Sequence, residues 1–493
     1  MPDRRRPARR PLERSAQRPS ERSRRTDAAR LAAYTVMRAV ADGAYANLEL
    51  PTALRRRGIE GRDAAFATEL VYGATRMRGF YDRLIEVSAQ RPLAGIDAPV
   101  LDVLRLGVHQ LLGMRVPSHA AVDETVALAR QVCGVGASGF VNAVLRRVGE
   151  RERDTWLDVV APPGTEPLQA LATRTSHPEW VVRALRQALL GHGAASAATV
   201  DAELPALLTA DNAPPRVTLA VRPGLAAVDE LASQDGARLG PLAPTAVVLA
   251  GGGDPGRLPA VRDGRAAVQD EGSQLVALAA AAAPIQTGSA RERWLDLCAG
   301  PGGKAGLLAA VALQREADFV ANEISHHRAD LVRRTLSAAA ARGREGQIVV
   351  REGDGREVGA LEPEAYDRVL VDAPCTGLGA LRRRPEARWR RQPGDVPVLA
   401  ALQRDLLSSA LDATKPDGAV AYATCSPHLV ETRYVVSDVT KRRPDVEILD
   451  ASTICLDRDG EQIPGTGDPP FVQLWPHRHD TDAMFLALLR RRH

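Results

Sequence analysis

From about Thr26 to Val148 apolar residues recur at spacings of three and four, as at Leu31, Tyr34 and Met37 and again at Phe66, Leu70 and Val71. That period predicts an all-helical bundle, whose last helix carries Phe140-Val141-Asn142-Ala143-Val144-Leu145-Arg146-Arg147. Arg76, Arg78, Arg83, Arg105, Arg146 and Arg147 fall on these helices and read as solvated faces. Ala161-Pro162-Pro163-Gly164 reads as a linker. Residues 165–290 read as a small mixed α/β adaptor: a helix after Ser176-His177-Pro178-Glu179-Trp180, an alternating strand over Pro215–Val221, and a closing stretch Val268–Gln274 that leads into an Ala-rich helix. From Arg291 strands and helices alternate, the grammar of a doubly wound α/β sheet. Its predicted strands are Trp294–Cys298, Phe319–Glu323, Ile348–Glu352, Asp367–Asp372 and Ala419–Thr424, closed by Ala483–Leu489.

The chain is thus multidomain: a tail over 1–25, a helical domain over 26–150, the adaptor over 165–290 and an α/β domain over 291–493. The length of 493 residues suits this division. With 45% hydrophobic and 26% charged residues, wholesale disorder and a collagen-like chain are excluded. No apolar run reaches the roughly 20 residues of a membrane span, and the N-terminus lacks the apolar core of a secretory signal, so a cytoplasmic protein without membrane contact is expected. The net charge of +4 is uneven. Residues 1–30 hold 11 Arg against Asp3, Glu13, Glu21 and Asp27, so the tail is expected to be disordered and able to touch phosphates. Only Lys304, Lys415 and Lys441 are lysine among 65 basic residues, so a lysine kept in so Arg-biased a chain points to a chemical need.

The five cysteines, 133, 298, 375, 425 and 455, form no C-x-x-C pair and are judged singly. His326, His327, His477 and His479 lack metal-ligand spacing, and no metal is expected. The first α/β strand runs into Cys298-Ala299-Gly300-Pro301-Gly302-Gly303-Lys304 ahead of a helix. This is neither a Walker-type phosphate loop nor G-x-G-x-x-G, but its glycines let a nucleotide-like ligand approach the backbone. Glu323 ends the second strand, where an acid takes a ribose diol, and Asp354 ends the third, where it could meet an adenine amino group. Strand four ends in Asp372-Ala373-Pro374-Cys375 and strand five in Thr424-Cys425-Ser426, which places two thiols in loops at the ligand-bearing edge. Spacing alone leaves open which thiol is the nucleophile.

Together these motifs and the tail Asp482-Ala483-Met484-Phe485-Leu486-Ala487 resemble the S-adenosylmethionine-dependent RNA cytosine-5 methyltransferases of the Sun/Fmu type. The helical residues 26–148 resemble the NusB-type RNA-binding module. The pairing is that of the bacterial enzymes acting on small-subunit ribosomal RNA. The resemblance implies a Rossmann-like catalytic domain, Cys425 as the nucleophile that adds to cytosine carbon 6, Cys375 as the group assisting proton removal and release, and Asp372 on the cytosine ring edge or the cofactor. It further implies S-adenosylmethionine held by Cys298 to Lys304, Glu323, Asp354 and Asp372, and ribosomal RNA as the partner of a monomer. Arg382, Arg383, Arg384, Arg388 and Trp389, with Arg390 and Arg391, pair cations with an aromatic ring after the Cys375 loop and are expected to bind RNA. Two departures concern the pocket's shape: Asp482-Ala483-Met484-Phe485 replaces a Gly followed by two aromatics, and Glu431-Thr432 replaces Glu-Asn. Transfer RNA as substrate, and an inactive RNA-binding or antitermination module, are the alternatives.

Overall fold

The structure, a computed structural model, describes residues 26–251 and 253–492; the basic tail lies outside them. The helical domain has seven helices between Ala28–Ala41 and Val135–Val148. Its central helix, Ala98–Leu112, is buried from Val100 through Gln110. A helix apolar on every side needs neighbours on every side, and its few polar groups find partners: Arg105 donates to Asp82 at 2.7 Å and to Asp102 at 2.8 Å, and Tyr81 Oη lies 2.9 Å from His109 Nδ1. Arg76 and Arg105 are therefore buried, not on the solvated faces expected for them.

The adaptor splits in two. Helices Pro167–Thr175, Glu179–Gly191 and Val200–Ala210 share a core with Leu378, Leu381 and Trp475 of the α/β domain. An antiparallel sheet follows, in the order β2-β3-β1-β4, from β1 (Thr218–Val221), β2 (Arg238–Leu239), β3 (Ala246–Val248) and β4 (Ala266–Val268). The Ala-rich helix Glu271–Ala282, counted with the adaptor above, instead joins the core of the catalytic sheet with Trp294 and Leu307. Its small apolar side chains let it lie flat there, and Asp270 caps it by accepting from the Gly272 N–H at 3.1 Å.

The large sheet contains β5 (Arg293–Asp296), β6 (Asp318–Glu323), β7 (Ile348–Glu352), β8 (Tyr366–Asp372), β9 (Thr414–Thr424), β10 (Val446–Leu449), β11 (Val472–Gln473) and β12 (Phe485–Arg491). The order is β10-β12-β9-β8-β5-β6-β7, with β11 against β12. Strands β5 to β9 pair in parallel, whereas β12 runs antiparallel to both β9 and β10. β8 is buried along Tyr366–Val371, as befits a parallel strand covered by helices on both faces. The chain progresses outward from β5 through β6 to β7 on one side, and through β8 and β9 on the other. A crevice opens at that reversal, beyond the strands' carboxyl ends. No helix among the described residues is long and apolar enough to cross a membrane.

Candidate active site

β5 stops at Asp296, so Cys298 lies in the loop rather than the strand. Gly302, at φ 110°, begins the helix Gly303–Gln314 in the left-handed region, and a Cβ there would lie 2.9 Å from Thr335. The Gly300 N–H donates to Glu323 Oε2 at 3.1 Å, and a Cβ on Gly300 would lie 2.3 Å from the same oxygen. Glu323 also accepts from the Ser325 N–H and from Arg328, each at 2.8 Å, which fixes the carboxylate at the end of β6. Asn322 Nδ2 donates to the Leu297 and Gly353 carbonyls, both at 3.0 Å, and so ties three strand ends together. Asp354 accepts from the Arg356 side chain, which holds its carboxyl below the usual range, and from the Arg356 N–H at 2.9 Å. These residues fit S-adenosylmethionine: a glycine loop the backbone of which can approach a ligand, and a fixed acid with lone pairs to spare for a diol.

Lys304 is 8% exposed and its Nζ lies 2.9 Å from Asp372 Oδ2. Burial opposes its charge, but Asp372 outweighs burial and keeps the ammonium protonated above its ordinary value. An ammonium at a helix N-terminus is disfavoured by the dipole, and the carboxylate of β8 offsets that. Asp296, a residue the sequence did not single out, is 1% exposed beside this pair, and among the described residues no side chain donates to its carboxyl. Burial, reinforced by Asp372, raises it to about 8, so it is mostly neutral at pH 7.

The two thiols meet. Cys375 Sγ lies 3.4 Å from Cys425 Sγ, where the loops after β8 and β9 converge. Sharing a hydrogen bond raises Cys375 and lowers Cys425. On the Cys425 side burial and Asp372 oppose an anion while Arg384 and Lys304 favour it, and on the Cys375 side Glu431 opposes one, so the hydrogen bond from Cys375 decides that the anion belongs on Cys425. Burial drives Cys298 well up, away from thiolate character. Glu431, fully buried, clamps both loops: it accepts from the Thr376 N–H at 2.7 Å, the Ser426 hydroxyl at 2.7 Å, the Thr376 hydroxyl, and Gln403 at 3.3 Å. Gln403 also donates to the Pro374 carbonyl at 2.8 Å. The altered closing segment braces the same loops, because the Ala483 N–H donates to Gly379 at 2.8 Å and the Gly379 N–H to Cys425 at 2.9 Å. A cleft of about 700 Å³ joins the two halves, lined by Cys298, Glu323, Asp354, Asp372, Cys375 and Cys425.

The basic cluster requires a correction. Arg388 is 0% exposed and donates to Asn212 at 2.8 Å and to the Ser176 and Asp211 carbonyls. Arg382 pairs with Asp480 at 2.7 Å, and Arg383 with Asp482. Trp389 inserts into the helical domain, its indole N–H donating to the Thr75 carbonyl at 3.0 Å. Arg388 and Trp389 join domains, while Arg382 and Arg383 brace the closing segment of their own domain, and acids and carbonyls distant in sequence take up the donors of all four. Arg384 alone of the five is exposed and lines the cleft. Among the described residues no three His, Cys, Asp or Glu side chains gather as a metal site; His477 meets Glu203 and His479 the Pro464 carbonyl.

Residues 285–490 match the family described as 16S rRNA methyltransferase RsmB/F, and residues 27–150 match the NusB family. A Mycobacterium tuberculosis (strain H37Rv) protein named as a methyltransferase, Rv1407, is 51% identical over 94% of this chain and 97% of its own. The ribosomal RNA small subunit methyltransferase B of Pseudomonas putida is 32% identical over 86% of this chain and 91% of its own. In fold, the crystal structure of PH0851 is similar at a TM-score of 0.76, with 21% identity over 94% of this chain and 98% of that one. From an identity sustained across both domains, the chain belongs to the RsmB/F family of 16S rRNA methyltransferases and takes its methyl group from S-adenosylmethionine.

Proposed function

We propose that the protein methylates carbon 5 of a cytosine in small-subunit ribosomal RNA through a covalent bond between Cys425 and carbon 6. The observation that carries this reading is the pair of sulfurs 3.4 Å apart beside Asp372 in one cleft. Carbon 5 is a poor nucleophile until a thiolate adds at carbon 6 and converts the ring to an enamine. S-adenosylmethionine supplies an electrophilic methyl group on a sulfonium. Cys425, favoured as the anion, forms the carbon–sulfur bond while ring nitrogen 3 takes the proton that Cys375 held. Asp372 accepts a hydrogen bond from that protonated ring edge, with Lys304 fixing its orientation. After carbon 5 has gained its methyl group, the Cys375 sulfur removes the carbon 5 proton. The carbon–sulfur bond then breaks, Cys425 leaves as the thiolate, and nitrogen 3 releases its proton to solvent. The target cytosine must leave its base stack to reach sulfurs at this depth.

Labelled S-adenosylmethionine incubated with unmodified small-subunit ribosomal RNA, followed by nucleoside analysis, should yield 5-methylcytidine. Product on transfer RNA alone would transfer the reaction to that substrate, and cofactor binding without product on either RNA would favour a binding module. Cys425→Ala should abolish turnover, whereas Cys375→Ala should accumulate a denaturation-resistant protein–RNA adduct. An adduct trapped by Cys425→Ala instead would reverse the two roles.

A further inference from the structure

Tyr45 belongs to the helical domain, yet it lines the same cleft as Cys375 and Cys425. It stands at the N-terminal boundary of the helix Ala46–Arg57, with its backbone extended, and it is 45% exposed, unusual for an aromatic ring against a domain boundary. Two catalytic-domain guanidinium groups flank the ring: Arg390 at 5.1 Å from its centroid and Arg384 at 5.6 Å. Arg390 is itself anchored to the helical domain, donating to the Ala44 carbonyl at 2.7 Å and to the Val40 carbonyl at 3.3 Å. The ring is therefore fixed relative to the thiols, with part of its surface left to solvent. Arg384 contributes positive potential at Cys425, which links the platform electrostatically to the reacting sulfur.

A half-exposed aromatic ring beside the exposed guanidinium of Arg384 suits an unstacked nucleotide, with the base against the ring and the phosphate on that cation. We propose that Tyr45 is a substrate-binding residue donated by the helical domain, stacking a base next to the target cytosine while Arg384 holds the flanking phosphate and Arg390 keeps the ring in place. The proposal rests on RNA being the substrate. It implies that the helical domain completes the catalytic site, beyond any binding of RNA elsewhere on its surface.

The test uses the full chain, a transcript of small-subunit ribosomal RNA and labelled S-adenosylmethionine. Tyr45→Ala should raise the KM for the transcript by about 5- to 100-fold, the range that loss of one base–aromatic stack produces, with cofactor affinity unchanged. Tyr45→Phe should restore the wild-type KM because the ring is retained, and Tyr45→Leu, of comparable bulk but without a π face, should behave like Ala. A wild-type KM in Tyr45→Leu would overturn the proposal, as would a loss in Tyr45→Phe equal to that in Tyr45→Ala. If Tyr45→Ala fails to fold, the Phe and Leu variants still decide. Failure of the RNA reading itself would be separate, since the wild-type protein would then methylate no RNA.

Discussion

Glu431 offers the sharpest test of how the thiols are held. Its carboxylate receives four donors, and three of them come from Thr376 and Ser426, the residues that follow Cys375 and Cys425. Hydrogen bonds to a charged group contribute roughly 1.5–3 kcal/mol each. Glu431→Gln keeps one acceptor oxygen and turns the other into a donor; the two hydroxyls can rotate to meet it, so the loss is mainly the charge assistance of about two bonds, or roughly 2 kcal/mol. If that energy holds the sulfurs in reacting geometry, kcat should fall about 10- to 100-fold, since each 1.4 kcal/mol is tenfold. Glu431→Ala orphans the Thr376 N–H in the interior and should slow turnover further. The Glu431 carboxylate bonds to Thr376, Ser426 and Gln403 rather than to the loop Cys298–Lys304 or to Glu323, so the KM for S-adenosylmethionine should stay within about twofold of wild type. The assay is methyl transfer at saturating RNA with the cofactor varied. A Glu431→Ala protein that is folded and turns over at the wild-type rate would refute the reasoning, as would cofactor affinity lost in step with kcat.

Three further outcomes follow from the geometry. Asp296 binds a proton in the folded protein up to about pH 8 but only below about 4 when unfolded, so its contribution to stability is greatest in acid and is lost as pH rises through 8; Asp296→Asn lacks that slope and should gain roughly 5 kcal/mol relative to wild type between pH 4 and 9 by denaturant titration, a pH-independent difference being the contrary result. Gly300→Ala places a Cβ on Glu323 Oε2 and should weaken S-adenosylmethionine binding about tenfold or more by calorimetry, while unaltered affinity would mean that Glu323 does not take part. Trp389→Ala removes the ring packed on Gly79 and its bond to Thr75, and should weaken domain docking by about 3 kcal/mol; hydrogen exchange at Thr75–Phe80 should accelerate, and unchanged protection would count against that anchor.

Much of the catalytic half was legible because its signals are local. A strand, a glycine loop and an acid at the next strand end are consecutive in the chain, and Gly300, Glu323, Cys375 and Cys425 duly converge on one crevice. The surroundings of Arg382, Arg383, Arg388 and Trp389 were not legible because their partners are far away: Asp482 lies 99 residues from Arg383, and the Ser176 carbonyl 212 residues from Arg388. An arginine destined for a buried carbonyl and one destined for a phosphate look alike until the fold supplies the acceptor. Asp296 resembled any acid ending a strand, and only the neighbouring Lys304 and Asp372 make its burial unusual. Tyr45 escaped notice because its cleft is made by another domain. The packing of the helix Glu271–Ala282 against the large sheet was not legible because an Ala-rich helix carries no mark of the core it will join.

The anchoring of Trp389 also bears on how the protein is made. Its partner Thr75 precedes it by 314 residues. At about 5–20 residues per second of synthesis, roughly 15–60 s separate the two on the ribosome. The helical domain can fold early on its own core, but the face around Gly79 stays bare for that whole interval. Sealing that face is thus among the last acts of maturation, and a chain terminated before residue 389 would leave it permanently uncovered.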